Sequence, residues 1–163
     1  MNKKLKLWEL NRKTEAEFRE QKKFPIVVVL DDIRSLNNIG SFFRTADAFN
    51  IEKIILCGIT ATPPHKDIHK TALGSTETVE WEHQDNILGC IEGLKKEGFE
   101  LFVIEQTEET ILLQEVSAIP KGPTVLIFGN EVNGVAQELV DFSDRVIEVP
   151  QFGTKHSLNV SVC

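Results

Sequence analysis

The chain has 163 residues, of which 41% are hydrophobic and 26% charged, and a net charge of −7. These values indicate one domain with a sizeable core. The sequence excludes a membrane-spanning protein, since no apolar run is long enough, and its amino terminus lacks the apolar segment of a secretion signal.

Residues 1–24 are predicted to form a basic helical extension. Residues 1–25 contain eight Lys or Arg residues and four Glu residues. The remainder of the chain contains ten basic and twenty-one acidic residues. Thr14-Glu15-Ala16-Glu17 has the form of a capping box, so a short helix is expected to about Lys23, and Pro25 ends it. A basic arm on an acidic body could supply affinity for phosphate, and a solvated charged helix explains the pattern equally well.

Strands and helices are predicted to alternate from residue 26 onward. Apolar, β-branched runs predict strands at residues 26–30, 51–57, 78–81, 99–105, 124–128 and 145–149. Between them we expect helices capped by Asn37 or Asn38 and by Asp85, and shorter helices over residues 67–73 and 136–140. This alternation predicts an α/β fold with a mostly parallel sheet and helices on both faces.

A first polar segment follows the first buried strand. Asn38 lies at the start of a helix, and Arg44 comes six residues later among apolar neighbours. An arginine buried there needs a partner, which Asp47, Asp31 or Asp32 could provide as a purely structural arrangement. Alternatively, the guanidinium is presented at a cleft, where its fork suits a phosphate group.

A second polar segment, Phe128 to Gly134, leaves the carboxyl end of a buried strand, where doubly wound folds place ligands. Gly129 and Gly134 permit close backbone approach and a positive φ. A plain turn would explain the Asn and Gly residues but not an acidic residue at that place. We therefore interpret Glu131 as a positioned hydrogen-bond acceptor.

A third polar segment follows Gly153. Ser157, Leu158 and Asn159 alternate polar with apolar side chains, which fits a strand or a helix capped by Ser157 and Asn159. There is no G-x-S-x-G elbow to make Ser157 a hydrolase nucleophile. Neither G-x-G-x-x-G nor a Walker A motif is present, which argues against an ordinary dinucleotide or NTP enzyme.

Cysteine and histidine spacing gives little support for a disulfide or metal site. The three cysteines are widely spaced, and none forms a C-x-x-C pair, which indicates reduced thiols in a cytosol. His65 and His69 could share a helix face, but a metal site usually needs more ligands nearby. We therefore expect no metal and a cytoplasmic location.

In this order, the three segments resemble the three motifs of the SpoU/TrmH family of RNA ribose 2′-O-methyltransferases, members of the SPOUT class of S-adenosylmethionine-dependent enzymes. The match covers nearly all of residues 25–163 and includes Pro63-Pro64-His65 and residues 70–74. The resemblance implies a methyltransferase domain over residues 25–163, a trefoil knot, a homodimer and a tRNA or rRNA substrate. Family members usually continue with a further helix, so we expect that helix to be truncated at Cys163 and the knot to be incomplete.

The resemblance also implies roles for individual residues. The catalytic positions would be Arg44, Asn38, Glu131, Ser157 and Asn159. The cofactor, S-adenosylmethionine, would be bound by Glu105, Gln106, Thr107, Phe128, Gly129, Asn130, Ile147, Pro150, Ser157 and Leu158. The alternatives are a non-catalytic RNA- or cofactor-binding relative, an inactive fragment that lacks its final helix and, if the motifs are coincidental, a flavodoxin-like or nucleotide-binding domain.

The family's reaction attacks a sulfonium methyl group with a ribose 2′-hydroxyl, which must lose its proton. An unperturbed guanidinium pKa of roughly 12.5–13.8 makes a neutral arginine scarce. Our hypothesis is therefore that Arg44 grips the adjacent phosphate and stabilises developing oxyanion charge, rather than acting as the base. Asn38, Glu131 and Asn159 would orient it and the ribose, and Ser157 would serve the backbone or the cofactor.

Overall fold

A computed structural model of the protein describes residues 2–116 and 122–163. Its strands are β1 (Phe24–Asp31), β2 (Ile51–Cys57), β3 (Glu80–Gln84), β4 (Glu100–Ile104), β5 (Ile111–Leu112), β6 (Thr124–Phe128) and β7 (Arg145–Glu148). Its α-helices are α1 (Glu15–Glu20), α2 (Leu36–Ala48), α3 (Lys66–Ala72), α4 (Ile87–Lys96) and α5 (Gln137–Phe142). Short 3-10 turns cover Leu7–Glu9, Ser75–Glu77 and Leu113–Glu115.

The strands form a single parallel sheet in the order β3-β2-β1-β6-β4-β7-β5. Alternate residues of β1 enter two separate cores. Val28 and Leu30 pack with residues of α2 and α3 on one face, while Val27 and Val29 pack with residues of α4 and α5 on the other. The predicted α/β fold, with a mostly parallel sheet covered on both faces, is confirmed.

The amino-terminal helix α1 packs against the sheet domain. Thr14 forms the predicted capping box with Glu17. Phe18 is buried in the core beside α2, and the Arg19 guanidinium donates to the carbonyl of Glu77 at 2.6 Å. Gln21 donates to the side chain of Asn50, which precedes β2, so α1 lies near the amino ends of the central strands.

Two predicted helix caps are wrong by one to three residues. Ser35, rather than Asn37 or Asn38, caps α2 by accepting from the backbone N–H of Asn38 at 3.3 Å. Asn86, rather than Asp85, caps α4. Several residues that favour caps stand side by side at each helix start, and local preference does not rank them. At α2, tertiary contacts draw the Asn38 side chain inward instead.

Three local features differ from expectation. The strand predicted near residue 78 begins at Glu80, because Thr78 closes the preceding 3-10 turn and its hydroxyl donates to Asp47. The two-residue strand β5 was not predicted. Residues 157–163 form neither a strand nor a helix, and the amide of Val162 donates to the Asn159 carbonyl across a turn.

Within residues 2–116 and 122–163, no helix is long and apolar enough to cross a membrane. The trefoil knot implied by the family resemblance stays a prediction.

Gly40 lies where α2 crosses α3, and we predict that a larger residue at this position destabilises the fold. A Cβ atom at this position would overlap the Thr71 hydroxyl and the Ile68 carbonyl. We expect Gly40→Ala to lower the free energy of unfolding by roughly 1–3 kcal/mol, the usual cost of overpacking, as measured by urea denaturation.

Gly93 provides the matched control, since it lies within α4 and a Cβ there would have no neighbour within 4 Å. Gly93→Ala should stabilise the protein by about 0.5–1 kcal/mol, because alanine favours helix more than glycine. Equal effects of the two substitutions would contradict the close packing of α2 on α3.

Candidate functional site

A cavity of about 760 Å³ opens at the carboxyl ends of β4 and β6. Its walls come from residues 104–107, 128–135 and 156–160, with Asn38 contributed by α2. This volume is within the range of small-molecule sites, and parallel sheets bind ligands at this edge.

The loop after β6 is shaped by the side chain of Asn130. Its amide nitrogen donates to the carbonyl of Asp32 at 2.7 Å, which ties the loop to the segment after β1. Its amide oxygen accepts from the backbone N–H groups of Val132 and Asn133 at 2.9 and 3.1 Å. Asn130 thereby fixes the curvature of the loop and the direction of the next side chain, Glu131.

The Glu131 carboxylate joins the loop after β6 to the start of α2. It accepts from the backbone N–H groups of Arg34 and Ser35, both at 2.9 Å, and from the Asn38 amide at 3.1 Å. Burial by itself raises the pKa of Glu131, but these hydrogen bonds outweigh it and the pKa lies below its ordinary value. Glu131 is therefore ionised at neutral pH and can only accept.

The charge on Glu131 fixes the orientation of Asn38, whose side chain is 8% exposed. Because the carboxylate can only accept, Asn38 must turn its NH₂ group toward it. Its amide oxygen then accepts from the Asn159 amide nitrogen at 3.1 Å. The Asn159 oxygen accepts in turn from the backbone N–H and the hydroxyl of Ser161, at 2.9 and 2.8 Å.

The two asparagine amides of the network retain hydrogen-bond donors. The amide oxygens of Asn38 and Asn159 are both engaged, whereas each amide nitrogen uses one of its two N–H groups in the bonds formed among the described residues. Both residues line the cavity. Their remaining N–H groups are uncharged donors that a bound molecule could use.

Glu105 performs a second bracing role at the end of β4. Its carboxylate accepts from the backbone N–H groups of Gln106 and Val135, at 2.8 and 2.9 Å. It also packs against Gly134, where φ is +69° and a Cβ would overlap the carboxylate. Glycine is needed at this position both for its φ and for the closeness of Glu105.

Most of the predicted site residues lie around this cavity. Those that line it are Asn38, Glu105, Gln106, Thr107, Phe128, Gly129, Asn130, Glu131, Ser157, Leu158 and Asn159. Ile147 and Pro150 do not, whereas Val149 and Gln151 do. Ile147 is buried within β7, and its carbonyl oxygen accepts from the backbone N–H of Glu105 at 3.2 Å.

Arg44 lies outside the cavity of its own chain. At 100° per residue, it stands about 120° around the helix from Asn38, so that Asn38 faces inward and Arg44 is exposed. The structural pairings considered for Arg44 are not formed: the ion pairs within the described residues do not include it. We expected Arg44, Glu131 and Asn159 to meet at one site, but a single chain brings only Glu131 and Asn159 to the cavity.

The described residues contain no group of three His, Cys, Asp or Glu that could hold a metal ion. His65 instead caps α3, where its Nδ1 atom accepts from the backbone N–H of Asp67 at 3.2 Å.

Residues 25–163 match the model of the SpoU rRNA Methylase family. The chain belongs to this family. The match also excludes coincidence of the three segments, so the flavodoxin-like alternative is wrong.

Named relatives agree with this assignment. A tRNA (guanosine(18)-2′-O)-methyltransferase of Aquifex aeolicus is 31% identical over 147 residues, which cover 90% of this chain and 68% of the relative. A 23S rRNA (guanosine-2′-O-)-methyltransferase of Neisseria meningitidis is 28% identical over 138 residues, or 85% of this chain and 54% of the relative. The chain thus spans about half to two thirds of the length of these two relatives.

Solved structures show the same fold. The crystal structure of the A. aeolicus TrmH/SpoU tRNA modifying enzyme has a TM-score of 0.79 and 29% identity, and the match covers 91% of this chain and 75% of that one. That of an AdoMet-bound rRNA methyltransferase from Sinorhizobium meliloti has a TM-score of 0.79 and 26% identity, with coverages of 89% and 55%.

Ser161 belongs to the hydrogen-bonded network of the site, and it was not predicted from the sequence. Its hydroxyl and its backbone N–H both donate to the Asn159 side-chain oxygen. Its spacing of two residues from an asparagine is the usual signal of an Asx turn, and this signal could have identified it.

Glu131→Gln should lower stability in a pH-dependent manner. The lowered pKa means that the ionised carboxylate stabilises the fold above its unfolded pKa near 4.5, and that this contribution is lost as pH falls through the folded pKa. Because the group is largely exposed, we expect a loss of only about 1 kcal/mol at pH 7 and a smaller loss at pH 3.5, measured by urea unfolding.

Glu108→Gln, a change at another exposed carboxylate, is the control and should have little effect at either pH. An identical loss for Glu131→Gln at both pH values would show that the charge of Glu131 does not hold the loop.

Proposed function

We propose that this chain is an S-adenosylmethionine-dependent RNA methyltransferase that transfers a methyl group to a ribose 2′-hydroxyl of tRNA or rRNA. The observation that carries the proposal is the hydrogen-bonded set of Asn38, Glu131 and Asn159, which come from three remote segments and meet at one cavity. The names of the Aquifex and Neisseria relatives support the reaction and the substrate class.

The chemistry of the cavity lining fits S-adenosylmethionine. The described lining contains two carboxylates, Glu105 and Glu131, and no Lys or Arg. Such a lining suits a cationic sulfonium and disfavours polyanionic dinucleotides. The cofactor would be held by residues 105–107 and 128–130 and by Leu158, and it would supply the transferable methyl group. The AdoMet-bound S. meliloti neighbour supports this assignment.

The amides of Asn38 and Asn159 would act on the nucleophile. A ribose hydroxyl develops negative charge as it loses its proton, and donors fixed in advance stabilise such charge most effectively. Glu131 fixes which way the Asn38 amide is turned, and Ser161 does the same for Asn159. The remaining N–H of each amide would then donate to the ribose oxygen. Ser157 lines the same wall and would contact the cofactor or the backbone.

Arg44 would complete the site from a second subunit. Its exposure and its distance from the cavity lining leave it available to the cavity of a neighbouring chain. There it would clamp the phosphate next to the target ribose, for which a guanidinium fork is suited. The proposed protein is thus a homodimer, with residues 25–163 as the methyltransferase domain, residues 1–24 as a basic extension, and a cytoplasmic location.

The second candidate is a non-catalytic RNA- or cofactor-binding relative. The observation that favours it is the same displacement of Arg44, because a monomer would lack the residue predicted to grip the RNA phosphate.

Methyl transfer tests the proposed function directly. The protein is incubated with S-adenosylmethionine labelled in its methyl group and with unmodified tRNA and rRNA transcripts. We expect label in RNA and, after alkaline hydrolysis, in dinucleotides, because a 2′-O-methyl group removes the hydroxyl that alkali cleavage requires. Calorimetry should show binding of S-adenosylmethionine and no binding of NAD.

Label in mononucleotides would indicate base methylation and would contradict a ribose target. Cofactor binding without any transfer to either RNA would support the non-catalytic candidate.

Mixing two inactive variants should restore activity if Arg44 acts across subunits. We expect Arg44→Ala and Glu131→Ala each to lose most methyl transfer. After they are mixed and allowed to exchange subunits, half of the dimers would be hybrids with one intact site. Roughly a quarter of wild-type activity should return on statistical mixing.

Recovery close to zero, with hybrid formation confirmed by two affinity tags, would place Arg44 in the same site as Glu131 of its own chain. An Arg44→Lys variant with normal turnover would remove any special role for the guanidinium fork.

A further inference from the structure

Trp8 is a large aromatic side chain that the sheet domain does not bury. It is 76% exposed, and Leu5 nearby is 57% exposed. The other tryptophan, Trp81, is half-buried and packs edge-on against Phe43, with ring centroids 6.5 Å apart. Tryptophan is highly buried on average and is enriched at interfaces, so the exposed Trp8 ring is a candidate contact for a partner.

The charge around Trp8 is opposite to that of the protein as a whole. The chain has 18 basic and 25 acidic residues, and five of the basic but only one of the acidic lie within residues 2–13. These are Lys3, Lys4, Lys6, Arg12, Lys13 and Glu9. A cluster of this sign on an acidic protein is the electrostatic pattern of a polyanion-binding surface.

The one acidic side chain in this segment is already engaged. The Glu9 carboxylate accepts from the Lys3 ammonium at 3.2 Å and from the Lys6 backbone N–H at 2.7 Å. It therefore closes the short turn that carries Trp8. The ammonium of Lys6 lies 5.0 Å from the centre of the Trp8 ring, so an aromatic face and a cation are presented together.

We propose that residues 2–13 form an RNA-docking segment in which Trp8 stacks on an unpaired base and the surrounding Lys and Arg side chains contact phosphates. Aromatic stacking combined with basic side chains is the usual means of holding single-stranded nucleic acid. The choice of RNA as the polyanion rests on the proposed function. An anionic membrane surface is the competing partner that the same chemistry could bind.

Fluorescence of Trp8 tests the proposal without any methyl transfer. Trp81→Phe leaves Trp8 as the sole indole of the chain. Titration with a single-stranded oligoribonucleotide, without cofactor, should quench this emission, and a blunt duplex of the same sequence should quench it much less. Trp8→Ala should weaken single-strand binding by about five- to 150-fold, while Trp8→Phe retains most of it.

Two further variants separate stacking from charge. Ile59→Ala removes an exposed apolar side chain elsewhere and should leave RNA affinity unchanged. Replacing Lys3, Lys4 and Lys6 with Gln should make the negative slope of log affinity against log salt concentration shallower by about two. Each phosphate contact to a single strand contributes about 0.7 to that slope.

The failure of this inference and that of the proposed function are distinguishable. Quenching of Trp8 emission by RNA without methyl transfer would support the docking segment and contradict the proposed methyltransferase activity. Methyl transfer with unchanged Trp8 emission and an unchanged KM for RNA in Trp8→Ala would overturn the docking segment alone. A response to phosphatidylserine vesicles but not to RNA would also overturn it, in favour of a membrane surface.

Discussion

The site depends on a single ionised carboxylate, that of Glu131. It is bonded to residues 93 to 97 positions away along the chain and holds the first turn of α2 against the loop after β6. Because an ionised carboxylate only accepts, it also fixes the direction of each later hydrogen bond through Asn38 to Asn159. A neutral glutamine could donate or accept, so the two asparagine amides would lose their defined orientation. The charge of Glu131 therefore orients the two asparagine amides in addition to attracting hydrogen-bond donors.

The sheet and most of its helices follow from apolar patterning alone. β2 and β6 occupy the predicted residues, because long β-branched runs between turn residues have few alternatives. The wrong predictions occur where several neighbouring residues give the same local signal or where no local signal exists. Ser35, Asn37 and Asn38 all suit a helix cap, and only the distant Glu131 decides between them. Two-residue β5 exists through its pairing with β7, which no local pattern reveals.

The sequence predicts which residues form the site better than it predicts where their side chains point. The three motifs named Asn38, Glu131 and Asn159 correctly as cavity residues, since each follows the carboxyl end of a strand or a nearby turn. Side-chain direction depends on register: Pro150 misses the cavity that its two neighbours Val149 and Gln151 line, and Ile147 is buried within β7. Arg44 likewise shares a helix with Asn38 but not its face, because six residues do not complete a whole number of turns.

Acidic and basic side chains occupy different parts of the protein: the cavity is lined by carboxylates, and the described Lys and Arg side chains lie outside it. A cavity for a sulfonium is best lined, as here, by carboxylates and neutral amides, because a nearby lysine or arginine would repel the cofactor. Such a cavity attracts an RNA phosphate poorly, and a net charge of −7 adds further repulsion. At physiological salt, screening over about 8 Å confines each of these effects to its own surface. Under the proposed function, the basic groups that contact RNA stand outside the cavity of their own chain, as Arg44 and residues 2–13 do, and Arg44 of a second subunit would contact the RNA phosphate rather than the cofactor.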